Sequence, residues 1–360
     1  MTVSTGGVAR YTVELAIALA RSYQDDHYWL LSDQPFQMPQ GSPANLHAGA
    51  GPRTPAERKW WLWGLGREMA RHGIELFHGT DFAVPYLGQR PAVMTLHDLS
   101  PWLDPAWQPD AARVRQRTPR LLRWGLATMV ITPSQAVRKQ AIERFGLHPE
   151  RVVAVPLAAR EWFRPVRSPI PNIDPPSGPE QRPYFLFVGT LEPRKNISRL
   201  LEAWRAVRCE DAYRECDVDL LLAGRTRADF PQIEPEPGLR LLGAVADADL
   251  PGLYSGARAV VYPSLYEGFG LPVLEAMQCG ALVITSRDPA IEEVTGGSAA
   301  LHVDARDTHA LAEAMRAAAS SPEQFAGVKE RALARAREFS WERTARLTRE
   351  VYDAARRVFE

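Results

Sequence analysis

Residues 164–183 read RPVRSPIPNIDPPSGPEQRP, a run whose prolines are too closely spaced for a helix or a central strand. Proline removes the amide donor that either structure needs, so this stretch predicts a linker, and it divides the 360-residue chain almost in half. A chain of that length also exceeds what one hydrophobic core usually serves, so two domains of roughly 150 to 200 residues each are expected.

The two sides of the linker carry the same pattern. PYFLFVGT, VDLLLAG, RAVVYPS and ALVIT follow it, and AVMTLHD, TMVITPS and RVVAVP precede it. Each is a strand-sized apolar run, and stretches such as LLEAWRAV and LPVLEAM between them have helical periodicity. Strands covered by helices on both faces are apolar throughout rather than alternating, so these are predicted parallel strands in βαβ series. The expected fold class is α/β, with two Rossmann-like doubly wound domains facing a central cleft. The predicted limits are 1–165 for the first domain, 166–182 for the linker and 183–340 for the second domain. Gly6 and Gly7 open the helical run ARYTVELAIALARSY with no strand ahead of them, so the first strand of the N-terminal domain is expected to be missing from this sequence. A domain without it should have a weakened sheet and a mobile glycine loop.

Composition excludes several classes. The apolar runs fall far short of the ~20 residues that span a bilayer. The N-terminus lacks the basic flank and apolar core of a secretory signal. The three cysteines, Cys209, Cys216 and Cys279, have no metal-ligand spacing and fit a reducing compartment. A cytoplasmic protein without a nucleic-acid partner is expected. Overall net charge is zero, with a basic excess before the linker and an acidic excess after it. Halves facing different partners would give that split, and so would an ordinary solvated surface.

The most informative stretch is YPSLYEGFGLPVLEAMQCG, residues 262–280, where a strand end runs through glycines into a helix with Pro272 in its first turn. Gly268 and Gly270, flanking Phe269, let a ligand approach the backbone closely. The free amides of Gly270, Leu271 and the first helical turn suit a diphosphate. Glu267 and Glu275 supply hydroxyl acceptors, one for a sugar and one for a ribose. In FVGTLEPRKN, residues 187–196, Gly189 ends a strand and Thr190 leads to Arg194 and Lys195, cations that could neutralise a departing diphosphate; solvated loop charges are the alternative. In VMTLHDLS, His97 and Asp98 follow a strand at the carboxyl edge where α/β sheets bind ligands. Gly6 and Gly7 form the other half-site, a glycine pair opening a helix that could lie under the phosphates. Two further segments, ERKWWLWGLGREMARHG (57–73) and the acid-free RVRQRTPRLLRW (113–124), mix tryptophan with basic residues. They could rest on an anionic membrane surface, or their tryptophans could be core and their arginines a solvated face.

Taken in order, GGVARYT, LHDLSPW, ITPSQAVRKQAI, FVGTLEPRKNISRLLEAW and YEGFGLPVLEAMQCG resemble the retaining GT-B glycosyltransferases of family four, and most closely the bacterial mannosyltransferase-like members that build O-antigen and exopolysaccharide. The resemblance covers nearly the whole chain. It implies an acceptor-side domain, a donor domain, and a final helix over 341–360 crossing back onto the first domain. It implies that Lys195 binds the donor diphosphate, Glu275 the ribose and Glu267 the transferred sugar's hydroxyls, with His97 beside the sugar near the reacting carbon. Many members carry Arg where this chain has Thr190, and Arg194 is expected to supply the second cation. The implied reaction is a retaining, metal-independent hexosyl transfer without cofactor. Its donor is a nucleotide diphosphate sugar, GDP-mannose being favoured, and its acceptor is a glycan or lipid-linked glycan, with peripheral contact at the inner face of the plasma membrane. A nucleotide-sugar 2-epimerase of similar architecture is the alternative, as is an inactive sugar-nucleotide-binding subunit.

Overall fold

The structure is a computed structural model, and it describes residues 7–166, 182–209 and 218–359. Gly6 and most of the expected linker, 167–181, lie outside the described residues. The chain divides into two compact units, one made of residues up to Leu157 together with those from Ser340 onward, the other of Ala158–Phe339.

Unit 1 begins with α1 (Gly7–Ser22), β1 (Tyr28–Leu30), β2 (Leu46–Ala48), α2 (Leu65–Arg71), β3 (Phe77–Gly79) and β4 (Ala92–Thr95). It continues through α3 (Ser100–Leu103), α4 (Ala112–Arg123), β5 (Met129–Thr132), α5 (Gln135–Phe145) and β6 (Val152–Ala154). All described strand pairs are parallel, in two separate sheets, β1-β2 and β3-β4-β5-β6. β4 and β5 are buried along their whole length, and their outer faces meet Leu121 and Leu122 of α4 and Ala141 of α5. Local signals place the helices: the Ser134 side chain caps α5 by accepting from the Val137 amide, and Gly146 ends it in the left-handed conformation.

Unit 2 contains β7 (Tyr184–Val188), α6 (Ile197–Cys209), β8 (Asp219–Ala223), β9 (Leu239–Gly243), α7 (Leu250–Gly256) and β10 (Ala259–Tyr262). After these come α8 (Leu271–Gln278), β11 (Val283–Ser286), α9 (Pro289–Thr295), β12 (Leu301–Val303), α10 (Thr308–Ser320) and α11 (Ala326–Ala336). The described strands form one parallel sheet of order β12-β11-β10-β7-β8-β9. The order reverses between β7 and β10, and the carboxyl ends of two such strands open a crevice. The loops after β7 and β10 are the two that carry Lys195 and Glu267.

The last helix, α12 (Trp341–Phe359), belongs to unit 1 and packs against α1. Its buried residues Trp341, Thr344, Ala345, Thr348, Val351, Tyr352 and Ala355 recur at three- and four-residue intervals, one face of a helix. The Thr344 hydroxyl donates to the Pro156 carbonyl at 2.7 Å, and Tyr352 Oη meets His78 Nδ1 at 2.8 Å. Burying a side chain such as Val351 stabilises by about 2 kcal/mol, so this face is enough to hold the helix in place.

The predicted boundary at 165 is corrected to 157. Residues 158–166 belong to unit 2 because Arg160 pairs with Asp247 at 2.6 Å, its carbonyl accepts from Gln278 at 3.1 Å, and Phe163 is buried against the Tyr254 ring.

Candidate functional site

The unit 2 site is built where glycine alone can stand. Gly189 follows β7 and Gly224 follows β8, both at positive φ (149° and 151°). A Cβ on Gly224 would lie 1.9 Å from the Gly189 carbonyl oxygen, so the two backbones touch and leave no side chain at this sheet edge. The chain from Gly189 then passes the exposed Thr190 and makes a 3-10 turn at Pro193–Lys195. Asn196 closes that turn at φ 60°, a conformation asparagine tolerates better than most residues. Its side-chain amide donates to the carbonyls of Pro263 (3.1 Å) and Ala305 (2.7 Å), tying the loop to the end of β10.

Arg194 and Lys195 point inward and are buried, which removes the alternative of solvated loop charges. Lys195 Nζ lies 2.6 Å from Glu267 Oε1 and 2.5 Å from the Tyr262 hydroxyl. Arg194 reaches Glu267 Oε2 at 3.0 Å, the Tyr266 carbonyl at 2.8 Å and Glu192 Oε1 at 2.8 Å. Glu192 in turn faces Arg227 at 3.4 Å. Burial pushes the Glu267 carboxyl up, but the Lys195 and Arg194 charges outweigh it and hold the group at about 2. Burial and the Arg194 charge together push the Lys195 ammonium down, against the pull of Glu267. Glu267 is thus a carboxylate shared by two cations, a role that the EGFG sequence alone does not reveal.

Gly268, Phe269 and Gly270 continue the loop, with Phe269 packed edge-on against Phe339. Gly270 caps α8 at φ 93°, and Pro272 stands in the first turn. Leu271 and the amides of this helix start carry the partial positive charge that favours anions. Glu275, four residues into α8, is buried, and its Oε2 accepts from the Tyr254 hydroxyl at 2.9 Å. The structure therefore brings Arg194, Lys195 and Glu267 into one cluster, with Glu275 on the helix that the glycine loop opens.

Unit 1 holds His97, half-buried at the end of β4. Its Nε2 lies 2.7 Å from the Thr80 carbonyl, which can only accept, so that nitrogen carries the proton and Nδ1 is left as an acceptor in the neutral ring. The Tyr11 ring meets it edge-on at 4.9 Å, and Phe82, at φ 52°, packs from another side at 6.1 Å. Asp98 Oδ1 accepts from the Ser100 amide (2.8 Å) and hydroxyl (2.6 Å), a local turn at the start of α3. Gly7 is the exposed first residue of α1, and its partner Gly6 is undescribed.

Each of the two segments that mix tryptophan with basic residues has buried and exposed side chains. Glu57, Glu68 and Arg71 form an internal ion-pair network, and Trp60 is buried. Trp63 and Trp124 are exposed, and the Arg117 guanidinium lies 5.3 Å from the Trp61 ring, joining the two segments.

Sequence reasoning missed Glu192, Asn196, Tyr254, Tyr262 and Asp288. Asp288 accepts the Glu267 amide and caps α9; burial, then the Glu267 charge, raises its carboxyl to about 6. The Asp-Pro pair ahead of a helical run was its one available signal. No described helix is long and apolar enough to cross a membrane.

Residues 5–159 match the family described as Glycosyltransferase Family 4, and residues 182–321 match Glycosyl transferases group 1. The chain belongs to glycosyltransferase family four and is a glycosyltransferase of GT-B fold. Among its relatives, O-antigen chain mannosyltransferase B of Escherichia coli is 35% identical over 292 residues, covering 77% of this chain and 74% of that protein. Serotype-specific mannosyltransferase WbdA of Escherichia coli is 29% identical over 253 residues, 65% of this chain but 29% of that longer protein. Among solved structures, sucrose-phosphate synthase from Thermosynechococcus elongatus superposes with a TM-score of 0.74 at 22% identity, covering 97% of this chain and 93% of that one.

Proposed function

We propose that the chain transfers a hexose, mannose by preference, from a nucleotide diphosphate sugar, GDP-mannose by preference, to a glycan or lipid-linked glycan in polysaccharide biosynthesis. The choice of mannose rests on relatives named as mannosyltransferases. The observation that carries the reading is the buried Arg194–Glu267–Lys195 cluster beside the glycine loop and amide-rich start of α8. Two cations and a helix start in a water-poor crevice stabilise a diphosphate as it takes up negative charge, the work a metal does elsewhere. The transfer is therefore read as metal-independent and front-face. The bond from anomeric carbon to diphosphate oxygen breaks, the acceptor oxygen bonds on the same face, and the acceptor proton passes to the departing diphosphate. Glu275 holds the ribose.

The test incubates the protein with GDP-, UDP- and dTDP-sugars and a glycan acceptor in excess EDTA and follows the anomeric signals by NMR. Turnover of one donor with the configuration kept is expected. A C2-epimerised donor would make the chain an epimerase, and every donor left intact would make it a binding subunit.

The exposed Trp63 and Trp124, on segments joined by Arg117 and Trp61, favour peripheral contact with an anionic membrane. Sedimentation with anionic vesicles should be salt-sensitive and weaker for Trp63→Ala/Trp124→Ala; salt-insensitive or absent binding contradicts it.

A further inference from the structure

The geometry points to Asp288 as a positioning residue of the donor site, one that fixes Glu267 and through it the two buried cations. The inference rests on the reading of unit 2 as the donor site.

The loop after β10 has no regular structure of its own and is held by ties from its neighbours. From the β7 side, the Leu265 amide donates to the Arg194 carbonyl at 2.9 Å, and Asn196 holds the Pro263 carbonyl. Those ties come from the loop that bears the cations, so they cannot set its distance from Glu267 independently. From the opposite side, Asp288 Oδ2 accepts the Glu267 amide at 3.1 Å. Asp288 is itself fixed, because its Oδ1 accepts the amides of Ala290 (2.9 Å) and Ile291 (3.2 Å) at the start of α9. One buried carboxylate thus uses one oxygen to cap a helix and the other to place the backbone of the residue whose side chain meets Lys195 and Arg194.

Chemistry separates the two duties. Asparagine and serine cap helices about as well as aspartate. Asparagine has a single acceptor oxygen, so in Asp288→Asn either the cap or the Glu267 amide faces an N–H instead of an acceptor. Serine is too short to serve both. Neither variant removes a group that touches the substrate.

The experiment measures kcat and KM for the nucleotide-sugar donor, together with Tm, in wild type, Asp288→Asn and Asp288→Ser. Contacts that grow as the diphosphate leaves act on kcat rather than on KM. We expect kcat to fall at least about tenfold in both variants, with donor KM within about threefold and Tm within about 4 °C of wild type in at least one. A kcat within about twofold of wild type in either folded variant overturns the inference, because a capping role alone predicts that result. A loss of activity that only parallels a collapse of Tm in both also overturns it. Wild type inactive on every nucleotide sugar would instead remove the donor-site reading itself, and this inference with it.

Discussion

Lys195 Nζ sits 2.6 Å from Glu267 Oε1, across 72 residues of sequence, and both groups are buried. That contact turns two motifs, each ambiguous alone, into one electrostatic unit. Because Arg194 shares the same carboxylate, the cluster brings two positive charges to one negative one at the end of β7 and β10. Glu192 balances Arg194 from behind. The cations are thereby held in place before any anion arrives, and an anion meets them without reorganising the loop.

Replacing Glu267 should expose that balance. In Glu267→Gln two buried cations lose their shared partner, which commonly costs 3–5 kcal/mol, so urea unfolding at pH 7 should show a deficit of about that size. The wild-type carboxyl is depressed from 4.5 to about 2, so its stabilisation is complete above pH 4.5 and is lost as pH falls toward 2. The gap between wild type and Glu267→Gln should therefore narrow across that window. A gap unchanged between pH 7 and pH 3 contradicts the ion-pair account.

Tyr254 should act through Glu275. Its hydroxyl is the donor to Glu275 Oε2, and Tyr254→Phe removes it while keeping the buried ring. Loss of that tie shifts the carboxylate from the position proposed for the ribose, so donor KM should rise about threefold to tenfold with kcat little changed, about the energy of one ordinary hydrogen bond. An unchanged KM in steady-state assays separates Glu275 from the ribose.

Gly224→Ala should be among the most damaging single-methyl changes in unit 2. The new carbon would meet the Gly189 carbonyl at 1.9 Å from a backbone at φ 151°. Strain and displacement of the β7 loop should cost about 3 kcal/mol or more, read as a lowered Tm with loss of donor turnover. Wild-type Tm and turnover would show that the two strand ends do not need to touch.

Much of this arrangement was legible before the structure. Apolar runs such as FLFV and AVVY mark strands buried on both faces, because nothing polar can stand there, and the Gly-Phe-Gly-Leu-Pro stretch marks a helix entered through glycines. What stayed hidden depended on long-range pairing. Spacing places Glu267 before a glycine loop but cannot say that it meets Lys195, nor that Asp288 holds its amide, since neither contact has a local period. Residues 158–165, expected in the first domain, lie in unit 2 for the same reason: Phe163 and Arg160 find their partners in Tyr254 and Asp247, far along the chain. His97 and Asp98 stand just past a strand, as expected, and Asp98 also bonds locally to Ser100, a choice that aspartate side chains often make.

The central claim is that the Lys195 cluster holds the diphosphate of the donor, and calorimetric titration of GDP into wild type and Lys195→Ala tests it most directly. Charge-assisted contacts of this kind are worth about 2 to 3 kcal/mol, so wild type should bind one GDP per chain and the variant should bind it at least about tenfold more weakly. GDP affinity in a folded Lys195→Ala within about threefold of wild type would contradict the account.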